Sequence, residues 1–241
     1  MSDLDSLKQQ LHSDELIVGV SVPLTADQNM LENILERDSY GFLSVDSQHA
    51  AFNEETLVEF CDIAERLRIP VVFRIKHTRQ SYMIGNYMDL GPTGAEVPQV
   101  EEESTVEESI DYFYYPQRGK RSWGGDARWG IKGRDDRLQY AEWWNNTGVL
   151  WMQVESIEAI TKIKKLAKLG IDCISWGPMD LSFNRESHPD HPFKTDDDCV
   201  QYVLNQLNGT DVTLCYRNFD PSKRDKYIQM GVTVILEPPR E

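Results

Sequence analysis

The chemistry-bearing side chains of this sequence fall in a few short motifs. In VDSQH, Asp46 stands three residues before His49, a carboxylate and an imidazole that together can serve as a base and its orienting partner. Arg74 closes the apolar run PVVFR; a guanidinium held there suits a carboxylate or a polarised carbonyl oxygen, which it meets with a rigid fork of donors. Gln153 and Glu155 close GVLWMQVE, and Asp180 follows in GPMDLS. Glu155 and Asp180 are hard oxygen donors, and two carboxylates with water and substrate oxygens make a typical site for Mg²⁺ or Mn²⁺. Asp89, beside Gly91, is a further acid. Each has a plainer reading as well: Glu155 and Asp180 as helix-capping rim acids, Arg74 in a salt bridge to a rim acid, His49 as an ordinary loop histidine.

The elements that must position these groups alternate along the chain. Short apolar runs predict strands at Ile17–Val22, Gly41–Val45, Pro70–Arg74, Gly94–Val97, Gly148–Val154, Ile171–Trp176, Val212–Tyr216 and Val232–Leu236. Amphipathic stretches between them predict helices at Gln28–Arg37, Glu54–Arg68, Gln80–Met88, Thr105–Tyr112, Arg137–Asn145, Ser156–Leu169, Asp196–Leu207 and Ser222–Met230. The strands are continuous apolar runs, as parallel strands covered on both faces are. Eight alternations in this length predict a single-domain α/β protein over residues 1–241, a (β/α)8 TIM barrel with residues 1–15 as an extension or short helix. No helix is expected after strand eight, which would leave a face open or covered by another subunit. Catalytic groups in such barrels lie at the C-terminal strand ends, where the motifs above fall. Phe113–Asp136 and Gly177–Thr195 read as long irregular stretches, with Trp123 and Trp129 able to form a lid or wall and Trp176 near the mouth.

The chain has 241 residues and a net charge of −15, which argues against nucleic acid and anionic membrane as partners. Its four cysteines form no CxxC pair, and Cys61, Cys173 and Cys215 lie in apolar stretches where reduced core thiols are expected. His188 and His191 are each followed by proline, so they cannot form a helical metal-binding pair. The polar, acidic N-terminus is unlike a signal peptide, and no apolar run approaches the roughly 20 residues that span a bilayer. The expected location is the cytoplasm.

Taken in order, VDSQH, the strand ending in Arg74, MDLGPTGAEVP, YYPQRGKRS, WMQVES and SWGPMDLS resemble the HpcH/HpaI family of class II, metal-dependent 2-oxo acid aldolases, from about Ile17 onward. The resemblance implies that Glu155 and Asp180 hold a divalent ion, Mg²⁺ or Mn²⁺ with Co²⁺ admissible. Arg74 would contact the pyruvate carbonyl and stabilise its enolate, and His49 would be the histidine of an acid/base dyad partnered by Asp89. Gln153 would line the site, and backbone N–H groups around Met179 and Asp180 would hold the pyruvate carboxylate, with Gly177 and Trp176 among the substrate contacts. Gly119 and Arg121 match the glycine and arginine of a family loop. Gln48 replaces the usual glutamate before the histidine, and YPQ replaces YPP. The helix missing after strand eight is one that the family exchanges between subunits of a homo-oligomer, so its absence bears on that assembly.

The implied activity is a carbon–carbon lyase that forms a pyruvate enolate and makes or cleaves a 4-hydroxy-2-oxo acid with an aldehyde partner. With a cation as electron sink, no Schiff-base lysine is needed, although Lys76 alternates onto the same face as Arg74. Two alternatives stand beside it: related metal-enolate chemistry, such as oxaloacetate decarboxylation or citrate-like synthesis, and a non-catalytic barrel that binds a metal and an oxo acid.

Overall fold

A computed structural model describes residues 3–13, 15–134 and 136–240. Eight parallel strands close into a barrel in sequence order: β1 Ile17–Ser21, β2 Phe42–Asp46, β3 Val71–Arg74, β4 Gly94–Val97, β5 Val149–Val154, β6 Cys173–Trp176, β7 Thr213–Arg217 and β8 Val234–Glu237. The β8 strand pairs back onto β1 with Ile17 opposite Val234. The helices are α1 Asp3–Leu11, α2 Gln28–Leu35, α3 Glu54–Leu67, α4 Ile84–Met88, α5 Glu103–Phe113, α6 Arg137–Thr147, α7 Ile157–Thr161, α8 Ile163–Leu166, α9 Pro178–Glu186, α10 Asp196–Leu207 and α11 Arg224–Met230. The architecture is the (β/α)8 barrel expected from the sequence. Among the described residues no helix follows β8.

Strand alternation divides the apolar side chains into two sets. Outward residues such as Val20, Val45, Phe73, Met152, Trp176 and Tyr216 pack under the helices in one cluster. Inward residues, among them Ile17, Phe42, Val72, Trp151, Cys173, Cys215 and Val234, form a second cluster inside the barrel. Leu7 and Leu11 of α1 belong to the inner cluster, so this helix lies across the N-terminal end of the barrel and closes it. Burial of each leucine stabilises that closure by roughly 1.5–3 kcal/mol. Midway along the axis the Phe42 ring occupies the space left by Gly19, where a β-carbon would lie 2.1 Å from the ring. Trp151 meets Phe42 edge-on at 5.1 Å between centroids.

Beneath this layer the closed end is held by polar contacts. Asp172, 2% exposed, receives Lys8 Nζ at 2.7 Å and His12 Nε2 at 2.9 Å on one oxygen, and the Leu150 N–H at 2.8 Å on the other. Lys8 also donates to the Gly148 carbonyl at 2.9 Å.

Three segments differ from the sequence expectation. The predicted helix Gln80–Met88 opens as a 3-10 turn over Thr78–Met83 and is α-helical only over α4. The predicted helix Ser156–Leu169 breaks into α7 and α8 at Lys162, and its chain leaves the helical conformation at Ala167, before Gly170 takes a φ of +112°. Gly177–Thr195, expected to be irregular, contains α9. Gly177 caps it and Pro178 occupies its first turn, where the missing N–H of proline costs no helical hydrogen bond.

Candidate active site

The C-terminal ends of the strands gather polar side chains on the inward face. Arg74, the last residue of β3 and 8% exposed, forms a two-pronged pair with Asp46 at the end of β2: Nε donates to Oδ1 at 2.8 Å and Nη2 to Oδ2 at 2.6 Å. Its remaining nitrogen, Nη1, donates to Gln153 Oε1 on β5 at 3.1 Å. Burial opposes ionisation of Asp46, but the guanidinium and the backbone N–H groups of Gln48 and His49 outweigh it and hold the carboxyl below its ordinary range. Asp46 therefore serves Arg74, not His49. His49 lies exposed on the loop after β2.

Glu155 follows β5, is 7% exposed, and its Oε2 is buried without a hydrogen-bond partner. Burial and the nearby charge of Asp180 push its pKa up to about 8, against the opposing pull of Arg74 and Arg217. Gly177 is required beside it, because a β-carbon there would lie 2.3 Å from the Glu155 carboxylate. Asp180 sits on the exposed first turn of α9. Both acids line one open cleft of about 380 Å³ with Gln99, Glu101, Ser156 and Phe183.

A divalent cation fits this donor set. An orphaned, desolvated carboxylate oxygen next to a second carboxylate is what a doubly charged ion would relieve. Among the described residues no group of three His, Cys, Asp or Glu side chains could hold a metal; other coordination positions are left to water and substrate oxygens. The N–H groups of Met179 and Asp180 fall in the first turn of α9, where helical amides have no carbonyl partner and attract an anion. A cavity of about 700 Å³ at the closed end is larger, but its Lys8, His12, Tyr114 and Asp172 side chains are engaged with each other and the backbone.

Other sequence-derived positions lie elsewhere. Asp89 caps the end of α4 before β4, at the opposite end of the barrel from His49, and pairs with Arg121 Nη2 at 2.7 Å. Burial raises its pKa in spite of that arginine. Within this chain, therefore, Asp89 and His49 do not meet. Arg121 lies over the rings of Tyr115 and Trp144, at 4.7 and 4.4 Å. Gly119 packs against the Tyr114 carbonyl, which a β-carbon would approach to 2.5 Å. Trp176 faces outward, stacked on Tyr216 with its Nε1 donating to Asp196 at 3.3 Å, because strand alternation turns it from the axis. Trp123 is held by Arg128, 4.0 Å from its ring, in a segment that packs on α6 and bonds to Glu65 of α3; it does not roof the mouth.

The sequence reading missed Glu96 and Arg217. Glu96 points inward from β4, fully buried, and Arg217 ends β7. Charged residues inside otherwise apolar strands, the feature that marked Arg74, also mark these two.

Comparison with known proteins places the chain among a defined group. The model of the family described as HpcH/HpaI aldolase/citrate lyase matches residues 20–196. The hydroxypyruvate/pyruvate aldolase of Delftia acidovorans is 26% identical over 170 residues, 68% of this chain and 58% of that protein. The match thus spans little more than half of that relative's length. The crystal structure of an HpcH/HpaI aldolase from Desulfitobacterium hafniense superposes with a TM-score of 0.84 at 21% identity, covering 96% of this chain and 89% of the other. Citrate synthase SbnG superposes with a TM-score of 0.79 at 24% identity, covering 96% and 90%. At these identities both structures speak for the fold alone.

Proposed function

The chain belongs to the HpcH/HpaI aldolase/citrate lyase family, and on that premise we propose that it is a class II pyruvate aldolase, a lyase that makes or cleaves a 4-hydroxy-2-oxo acid through a pyruvate enolate. The observation that carries this reading is the grouping of Arg74, Gln153 and the desolvated Glu155, with Asp180, at the C-terminal end of the barrel.

Glu155 and Asp180 would hold the divalent ion, Mg²⁺ or Mn²⁺ with Co²⁺ admissible. When bound, the ion supplies Lewis-acid polarisation of the keto oxygen. The N–H groups of Met179 and Asp180 bind the 2-oxo carboxylate and fix its orientation. Arg74 exchanges part of its contact with Asp46 for the keto oxygen and stabilises the negative charge that develops there, an interaction strengthened by burial. Gln153 keeps the guanidinium aimed. His49, on the loop above Arg74, takes the methyl proton on an imidazole nitrogen and returns it in the reverse direction. Trp176, turned outward, supports the wall without touching substrate. The D. acidovorans relative, named for hydroxypyruvate and pyruvate, agrees with pyruvate as the enolate source.

Four buried, unpaired thiols suit a reducing cytoplasm, and no helix among the described residues is long and apolar enough to cross a membrane. The homo-oligomer implied by the family remains part of this proposal.

Exchange of pyruvate methyl protons in D₂O tests the reading. Exchange should require a divalent ion and be lost in Arg74→Ala and His49→Ala. No exchange with Mg²⁺, Mn²⁺ or Co²⁺ would leave a binding barrel instead of an enzyme. Release of pyruvate from oxaloacetate without aldol turnover would redirect the assignment to decarboxylation.

A further inference from the structure

The cavity of about 700 Å³ at the closed end has no part in the chemistry above. It lies between α1, the end of α5, the turn that follows α8 and the segments that lead into β6 and β7. Its floor is polar and satisfied. Lys8 Nζ contacts Asp172, the Gly148 carbonyl and the Tyr114 hydroxyl, and His12 meets Asp172 as well. That floor requires nothing of a ligand.

The wall above it is apolar, built from Ile110 of α5, Ala167 and Leu169 of the turn after α8, Ile171 and Val212. Leu169 is 93% exposed. A lone exposed leucine is ordinary on a protein surface, but this one prolongs an apolar wall and stands on a turn that is held in place. The Tyr114 hydroxyl donates to the Gly170 carbonyl at 2.8 Å, and Gly170 takes its positive φ beside the Ile110 side chain. A concave space of this volume, mostly apolar with a few polar groups, has the makeup of a small-molecule pocket.

The cations around the cavity differ in how they are paired. Lys8 has Asp172, and Lys168 has Glu103 at 2.9 Å and Glu107 at 2.6 Å. Arg118, exposed at the rim, meets only neutral acceptors among the described residues. Its Nη1 donates to the Asn145 carbonyl and its Nη2 to Asn146 Oδ1, each at 2.7 Å. These two bonds orient the guanidinium and leave Nε and one hydrogen on each Nη nitrogen for a further acceptor. In a chain of net charge −15, an arginine without a carboxylate partner holds capacity for an anionic ligand.

We propose that this cavity is a second ligand site, taking an amphipathic monocarboxylic acid whose aromatic or branched body lies on the apolar wall and whose carboxylate pairs with Arg118. Asp172 and Asp211 also line the cavity, so a single negative charge suits it better than a phosphate dianion. The site shares no lining residue with the cleft of Glu155 and Asp180 and does not rest on the aldolase reading.

Calorimetry on the metal-free full chain, with 2-naphthylacetate and its neutral amide as probes, tests this. The wild type should bind the acid more tightly than the amide by roughly threefold to tenfold, as one partly exposed, two-pronged ion pair provides. Arg118→Gln should erase that preference, and Arg118→Lys should keep part of it. Leu169→Glu, a change on the surface that leaves the fold intact, should weaken the acid more than the amide and so locates the probe in this cavity. Binding of neither probe, equal affinity for both in the wild type, or an acid preference that survives Arg118→Gln or Leu169→Glu would overturn the assignment.

Discussion

The two ends of the barrel each bury a carboxylate beside cations, and they treat it in opposite ways. At the closed end Asp172 has partners on both oxygens, from Lys8, His12 and the Leu150 amide. At the open end Glu155 keeps one oxygen unpartnered and its pKa is pushed up to about 8, first by burial and then by Asp180. A saturated network fixes α1 in place; an unsaturated one holds binding capacity in reserve for an ion and a substrate. Polar satisfaction separates the stabilising end of this barrel from the reactive one.

The largest way to break that contrast is Asp172→Ala, expected to destabilise the protein by roughly 3–5 kcal/mol because it leaves Lys8 without its buried partner. Denaturant unfolding measures this, while kcat of the folded fraction should stay within about twofold, since surface and scaffold changes away from the site spare its geometry. Arg74→Ala should do the reverse at the mouth. It is expected to lower kcat/KM by about 10²–10³, as removal of an oxyanion donor does, read in steady-state aldol cleavage.

Glu155 gives a pH signature. With its folded pKa raised above the unfolded value, the native state holds a proton that the unfolded chain has released, so stability falls with rising pH. The fall should run from the ordinary carboxylate range up to about pH 8, by on the order of 1 kcal/mol per pH unit for one proton. Unfolding in metal-free buffer should show this slope, and Glu155→Gln should flatten it while abolishing cation-dependent activity. A slope unchanged in that variant would assign the proton to another group.

The smallest effect belongs to His12. Its hydrogen bond to Asp172 raises the imidazole pKa in spite of partial burial. The contribution is therefore full below the ordinary histidine value and fades as pH climbs through the raised one. His12→Ala should remove that dependence from a Tm–pH profile, leaving Lys8 to hold Asp172.

Much of the scaffold was legible in the sequence. Strands covered on both faces must be continuously apolar, and GVLWMQV and VTVIL read that way. The charged residues ending them, Arg74 and Glu155, announced the mouth because a fold of this type turns strand ends toward it. The α9 helix escaped notice because its start is marked only by Gly177 and Pro178 and much of its surface is exposed. Glu96 and Arg217 escaped because their partnership crosses the barrel between residues 121 positions apart, which no local pattern encodes. Asp89, which the family resemblance pairs with His49, follows α4 and precedes β4, so within this chain it stands at the far end of the barrel from that histidine. Trp176 was placed correctly along its strand and on the wrong side of it, since neighbouring residues on a strand face opposite ways.

Phe42, seated in the hollow of Gly19 and edged by Trp151, acts as a bulkhead across the barrel's bore. Among the described residues its apolar layer, with Val72, Cys173 and Val234, stands between the polar mouth and the α1 side. Reactants handled at the mouth are therefore expected to enter and leave by the same doorway, and anything lodged near Lys8 and His12 to act on turnover by shifting the wall.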